Sequence, residues 1–328
     1  MSPGAAESPD RIGVIGGERF VDPDVRRLLD EADPDAADFW ELSPAEARNA
    51  MEDMVAGMLA PVAVASVTDI RIPTDATDVP ARLYRPDAST AGELLVFFHG
   101  GGWEVGSVDT YDRPIRRLAN DSGMSVLSVD YRLAPEHPFP AALDDCAAAL
   151  AWACDCAGEI GVDESFVAVG GDSAGANLAA AVAQRSRDLG GPHIDHQLLI
   201  YPVVTRHFDT ASYEEHADGF FLTRASMQSF WQLYVGDDCP RYADLYAAGG
   251  LAGLPSATIF TCSLDPLRDE GEEYADRLAR AGVPVTVIRT YGLIHGSWIM
   301  DATVRRGFQF GLDVAHALRR AASRPPID

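Results

Sequence analysis

Two glycine-rich elements constrain this chain more than any other feature: His99-Gly100-Gly101-Gly102 and, further along, Gly171-Asp172-Ser173-Ala174-Gly175. A glycine-flanked serine of this kind needs a strand before it, a sharp turn at it and a helix after it. Phe166-Val167-Ala168-Val169 supplies the apolar run and the Ala-rich stretch from Ala174 supplies the helical pattern. The serine pattern alone is weak, because 29 glycines and 19 serines in 328 residues give roughly 0.15 matches by chance. His-Gly-Gly-Gly is much rarer, with roughly 0.006 expected from 8 histidines, and it too follows an apolar run, Leu94-Leu95-Val96-Phe97-Phe98. Two such loops at strand ends point to a ligand site along the carboxyl edge of a parallel sheet.

From Ala91 onward, short apolar runs alternate with longer helical patterns, which reads as α/β, a mostly parallel doubly wound sheet flanked by helices. Besides the runs already named, strands are expected at Ser125 to Val129, Gln197 to Tyr201, Ala257 to Thr261 and Pro284 to Ile288. Near-continuous apolar runs suit strands covered on both faces. Helices are expected at about Ala141 to Ala157, Ala174 to Asp188, Gly271 to Ala281 and Thr303 to Ala321. Upstream, Ser66 to Ile72 and Ala81 to Tyr84 read as an antiparallel pair at one edge, joined by a turn-rich segment.

Two segments stand outside this alternation: Asp22 to Leu59, helical and acidic, and Thr205 to Gly236, rich in aromatics. They predict an N-terminal helical cap over 1–61, a catalytic domain over 62–328 and a cap insertion over about 204–236. Met227, Phe230, Trp231 and Tyr234 fall at helical spacing and are expected to pack on the core, with substrate contact as the competing role. The start, Met1 to Asp10, is polar and no run reaches ~18 apolar residues, so the reading is a cytoplasmic chain without a membrane anchor. The tail Ser323 to Asp328 is expected to be disordered. Five cysteines form an odd set, and Cys154-Asp155-Cys156 lacks the second pair a zinc site needs, so neither disulfides nor metal are expected.

Ser173 is the candidate nucleophile, with helix capping as its commoner alternative role. The His99 loop lacks the Lys and Ser/Thr of a phosphate-binding loop, which leaves an oxyanion role. Amides of Gly100, Gly101 and Ala174 are the expected donors, each worth roughly 3 kcal/mol in a transition state. His99 itself reads as structural. Folds built on such a serine turn carry the acid and then the base after it, in the loops following the last strands. That order selects Asp265 and His295. Asp269 is a local rival; Asp265 lies nearer the strand end, and Asp269 is expected to start the next helix or hold its loop.

These residues resemble the bacterial hormone-sensitive-lipase-like esterases of the Gly-Asp-Ser-Ala-Gly branch, from about Ala91 to the last helix. Beyond the two loops, the resemblance includes Asp130-Tyr131-Arg132-Leu133-Ala134-Pro135-Glu136-His137-Pro138-Phe139-Pro140-Ala141-Ala142 and Asp265-Pro266-Leu267-Arg268-Asp269-Glu270-Gly271. It implies an α/β-hydrolase fold with a helical cap and a cofactor-free serine carboxylesterase acting on short- to medium-chain esters. Ser173, Asp265 and His295 would be its triad, and Trp103, Asp172, Phe220 and Leu267 would contact substrate. Tyr131 to Ala142 would brace the active-site loops through Arg132 and Glu136. A homodimer is compatible with it, since members often pair through the last strand and helix. The same triad serves a dedicated lactonase, deacetylase or amidase. A non-catalytic receptor is disfavoured, because the family's plant hormone receptors lack the histidine that His295 supplies. The chain departs from the family at Ala176, where many members have Gly, and at His295-Gly296-Ser297-Trp298, which replaces His-Gly-Phe. The N-terminal cap matches only in character.

The formal charge is −24, from 50 acidic residues against 26 basic ones, and every one of the 26 is Arg. Nucleic acid and anionic membranes are therefore unsuitable partners, and a small-molecule ester is the expected one. Self-repulsion at this charge density is screened by salt. The melting temperature is expected to rise between low and molar salt in a calorimetric scan, and a value indifferent to salt would refute the reading.

Overall fold

The computed structural model describes residues 14–15, 18–33, 37, 41–56, 62–74, 76–86, 93–162, 165–247 and 249–323. The polar start Met1 to Asp10, residues 57–61 of the expected cap and the tail 324–328 lie outside the described residues. The chain opens with a short antiparallel pair, β1 (Val14–Ile15) and β2 (Glu18–Arg19), then α1 (Pro23–Asp30) and α2 (Pro44–Ala56). An antiparallel pair follows, β3 (Ser66–Ile72) and β4 (Val79–Arg85). The alternating part comprises β5 (Leu94–Phe98), α3 (Asp112–Ser122), β6 (Ser125–Val129), α4 (Ala141–Asp155), β7 (Val167–Asp172), α5 (Ala174–Leu189) and β8 (His196–Ile200). The insertion carries α6 (Ala211–Glu215) and α7 (Arg224–Val235), before β9 (Ser256–Leu264), α8 (Arg268–Arg280), β10 (Val285–Ile294) and α9 (Arg305–Ala322).

One eight-stranded sheet runs β10-β9-β8-β7-β5-β6-β4-β3. Only the β4 pairings with β3 and β6 are antiparallel. Alternate residues of β5 serve opposite layers: Leu94, Val96 and Phe98 join one buried cluster, Leu95 and Phe97 the other. Burial on both faces is why the central strands read as unbroken apolar runs. The strand order reverses at β5 and β7, which lie side by side with Phe98 opposite Gly171. Loops leaving such neighbours in opposite directions open a crevice at their carboxyl ends. The topology itself brings His99-Gly100-Gly101-Gly102 next to Ser173.

Several boundaries differ from the sequence expectation for identifiable reasons. β7 continues through Gly170, Gly171 and Asp172, where glycine's poor strand propensity hid the continuation. β10 extends to Ile294 although Arg289, Thr290 and Tyr291 interrupt its apolar run. It is an edge strand, so its outer positions face solvent and alternate in character. The helix α3 has no counterpart in the sequence pattern, because Pro114 and three arginines obscure its apolar stripe of Ile115, Leu118 and Ala119. Proline is tolerated there because it sits in the first turn. Gly123 ends the helix in a left-handed conformation, at φ 74°. α3 packs on α9, with Arg113 and Arg117 pairing Asp301 at 3.0 and 3.2 Å.

On α2, the Arg48 guanidinium donates to the carbonyls of Glu104 and Ala134 at 3.0 and 3.1 Å and pairs with Glu136 at 2.6 Å. It thereby ties the N-terminal helices to the loop after β5. Arg132 grips Asp145 of α4 at 2.7 Å, so both bracing residues implied by the resemblance are engaged. Among the described residues no helix is long and apolar enough to cross a membrane.

Gly175, at the start of α5, lies under the end of β5: a Cβ there would run into the Phe98 carbonyl oxygen and meet that of His99 at 2.5 Å. Backbone cannot yield as a flexible side chain can. Gly175→Ala is therefore expected to lower unfolding free energy by about 2 to 3 kcal/mol in urea titration. A loss under about 0.5 kcal/mol, the scatter of neutral surface changes, would contradict this packing.

Candidate active site

Ser173 occupies the turn between β7 and α5 with φ 54° and ψ −121°, a left-handed conformation that L side chains rarely adopt. Such strain costs of order 1 to 3 kcal/mol and persists only where surrounding contacts impose it. Its amide donates to Ile200 at 2.9 Å, and its carbonyl accepts from Asn177 and Val203 at 3.1 and 3.3 Å. A side chain on Gly171 would collide with Gly175 and Phe98, so the flanking glycines are what let the turn close. The Ser173 hydroxyl stands at the N-terminus of α5, where the helix dipole favours negative charge.

His295 follows β10 directly. Its Nε2 lies 2.9 Å from Ser173 Oγ and its Nδ1 2.8 Å from Asp265 Oδ2. Asp265 is fully buried, and its other oxygen accepts the Leu267 amide at 2.8 Å, which fixes the carboxylate plane. The Tyr201 ring packs 4.4 Å from the imidazole. Asp269 holds the Ser212 amide and Arg268, both at 2.7 Å, rather than His295. Geometry thus brings together Ser173, Asp265 and His295 and leaves Asp269 with the loop. His99 is buried and stacked on Tyr131 at 4.3 Å, with Nδ1 2.8 Å from its own loop's Gly100 carbonyl. Burial holds it below the usual imidazole range, in keeping with a neutral structural role.

One expected donor is corrected. The Gly100 amide is already shared between Asp172 Oδ1 at 2.8 Å and the Tyr111 hydroxyl at 3.1 Å, so it is not available to a ligand. Gly101 and Gly102 line the cavity, and among the described residues their amides have no acceptor. Ala174, as the first residue of α5, has no acceptor within its helix. The unengaged amides around Ser173 are therefore those of Gly101 and Gly102, which line the cavity, and of Ala174, next in the chain to the serine. Gly101 and Gly102 have φ of 110° and 60°, and a Cβ on Gly102 would strike the Phe230 ring.

The cavity above Ser173 holds about 90 Å³. Its walls are largely apolar: Met51 and Met54 from α2, Val105, Phe221 and Leu222 from the insertion, Phe230 from α7, and Ile299. Asp172 and Tyr111 also border it. Three expected contacts are not there. Trp103 is fully buried and stacks on Tyr234 at 4.2 Å, part of the core under α7. Leu267 is fully buried at the start of α8. Phe220 turns its ring against His216, and the neighbouring Phe221, at φ 74°, borders the cavity instead. Adjacent phenylalanines in an irregular segment carry no periodicity that says which faces inward. Of the α7 stripe, Met227, Trp231 and Tyr234 pack in the core while Phe230 does both. Ser297 ties back to the Ile294 backbone and Trp298 packs 5.4 Å from Phe97, so neither reshapes the pocket wall; Ile299 does.

A family model described as α/β hydrolase fold matches residues 95–299. The chain belongs to the α/β-hydrolase family. Within that family it falls in the hormone-sensitive-lipase-like branch. It is 45% identical over 240 residues to the carboxylic ester hydrolase LipN of Mycobacterium tuberculosis, covering 70% of this chain and 64% of LipN. To an arylesterase of Saccharolobus solfataricus it is 36% identical, covering 84% of this chain and 91% of that enzyme. The crystal structure of a thermostable esterase from Pseudomonas putida superposes with a TM-score of 0.88 at 33% identity, covering 94% of this chain and all of that one. An ester hydrolase from the metagenome of Lake Arreo, complexed with a phosphonate, superposes at 0.87 with 38% identity, covering 92% and 99%.

Proposed function

We propose that this hydrolase is a serine carboxylesterase acting on short- to medium-chain esters. The observation that carries the reading is the continuous hydrogen-bond chain from Asp265 through His295 to Ser173, opening on a small cavity with apolar walls. Its relatives' names, carboxylic ester hydrolase and arylesterase, point the same way. His295 accepts the Ser173 proton as Oγ attacks the ester carbonyl carbon. The carbonyl π electrons move to oxygen, which the amides of Gly101, Gly102 and Ala174 stabilise. Collapse of the tetrahedral species breaks the bond to the alcohol oxygen, which takes the proton from His295. Water, deprotonated by the same histidine, then attacks the acyl-enzyme and releases the acid. Asp265 holds the imidazole tautomer and stabilises the imidazolium.

Met51 and Met54 of α2 and Phe221, Leu222 and Phe230 of the insertion all line the cavity, which supports a cap made of the N-terminal helices and the 204–236 insertion. A cavity of about 90 Å³ with apolar walls favours short acyl groups. A second copy of the chain could pair along β10, the exposed sheet edge.

With p-nitrophenyl acetate, butyrate and laurate, turnover is expected for the first two and a sharp drop for laurate, with Ser173→Ala inactive throughout. Wild-type protein as inactive as the variant would refute the esterase reading. Asp265→Asn is expected to lower kcat by about 10⁴ and Asp269→Asn far less. Equal losses would move the acid to Asp269.

A further inference from the structure

Asp172 ends β7 beside the nucleophile, and the reaction steps above do not use it. Its carboxylate is buried, and each oxygen is engaged by a donor from a different segment. Oδ1 accepts the Gly100 amide at 2.8 Å. Oδ2 accepts the hydroxyls of Tyr111 at 2.9 Å and Tyr201 at 3.3 Å. Tyr111 in turn accepts the Gly100 amide at 3.1 Å, which closes a triangle of hydrogen bonds. One side chain thus joins the end of β7, the loop after β5, the start of α3 and the residue after β8.

We propose that Asp172 is a positioning residue: its carboxylate anchors the glycine loop to the nucleophile turn, so that the Gly101 and Gly102 amides stand preorganised for the oxyanion. The catalytic consequence rests on the esterase reading. Three consecutive glycines have more backbone freedom than any other tripeptide, and Gly101 and Gly102 sit at φ of 110° and 60°. Preorganised donors stabilise a transition state only if they do not have to be ordered as it forms. Fixing the Gly100 amide fixes the peptide plane immediately before the two donors. The fit leaves no slack, since a Cβ on Gly100 would stand 2.7 Å from Asp172 Oδ2.

The anchor is pH-sensitive in a definite direction. Burial pushes the Asp172 carboxyl up to about 6, opposed by the Tyr111 hydrogen bond, the His295 charge, the Gly100 amide and the Tyr201 hydrogen bond. Tyr111 and Tyr201 face it directly, His295 acts on it through charge, and Asp265 and Tyr131 act on the two tyrosines. A protonated carboxyl must donate from one oxygen among neighbours that are themselves donors; the tyrosine hydroxyls can turn, but the Gly100 N–H cannot. The loop is therefore held above pH about 6 and loosens as pH falls through that value.

Asp172→Asn keeps the side chain's size and introduces an N–H pair among donors. It is expected to lower kcat about 10- to 100-fold with KM within about threefold. The acid limb of its kcat/KM profile should become shallower, having lost one titrating group. Amide exchange of a peptide spanning 99–106, followed by mass spectrometry at pH 7, should quicken about tenfold. Tyr111→Phe removes the two edges of the triangle that meet at the phenol hydroxyl and leaves the Gly100–Asp172 bond, so it should shift kcat and exchange in the same direction by a smaller factor. It decides the matter if Asp172→Asn does not fold. Wild-type kcat and wild-type loop exchange in both variants would overturn the proposal, as would a raised KM at unchanged kcat, which belongs to a substrate contact. If the wild type hydrolyses no ester, the esterase reading falls and the exchange rates alone decide the anchor.

Discussion

The tight packing of the turn at Ser173 against the end of β5 is the contact on which the rest of the site depends. Gly171 and Gly175 press against the Phe98 backbone, leaving no room for a single methyl group. That closeness forces Ser173 into its left-handed conformation and projects its hydroxyl off the carboxyl edge of the sheet. It also sets the distance between the turn and the loop after β5, so the Ser173 hydroxyl and the Gly101 and Gly102 amides are placed by one contact. The strain at Ser173 is sustained because the sheet on either side is buried on both faces and cannot relax locally.

Around that contact the polar groups form two connected sets. One is the line Asp265, His295, Ser173, ending on the Leu267 amide; the other is Asp172 with Gly100, Tyr111 and Tyr201. Both are buried, and buried polar groups are stable only when their hydrogen bonds are made. In the proposed mechanism the first set moves a proton and the second holds backbone still. Apart from these two, the half-buried Arg48 couples the N-terminal helices to the Glu104 and Ala134 carbonyls and so connects the wall containing Met51 and Met54 to the same loop.

Legibility in the sequence followed the physics of each segment. β5 and β6 were read to the residue, because both faces are covered and their apolar runs are unbroken. β10 was read short because an edge strand mixes polar and apolar positions. α3 was hidden by arginines whose partner, Asp301, lies far along the chain. The hydrogen-bonded line of Ser173, His295 and Asp265 is legible because strand-end loops in this fold present such residues in a set chain order. The pocket was not: Trp103 and Leu267 went into the core, and Phe221 rather than Phe220 faces the cavity.

By itself, the amino-acid sequence determined the strand-turn-helix at Ser173, the alternation that builds a parallel sheet, and the chain order of Ser173, Asp265 and His295. These follow from local rules: glycine where backbones touch, apolar runs where both faces are covered, chain order along a sheet. Tertiary structure alone decided which amides face the cavity. The Gly100 N–H is engaged by a carboxylate and a phenol from other segments, so the donor set moves one residue along the loop. No pattern within the tripeptide distinguishes its three glycines; only the approach of Asp172 and Tyr111 does.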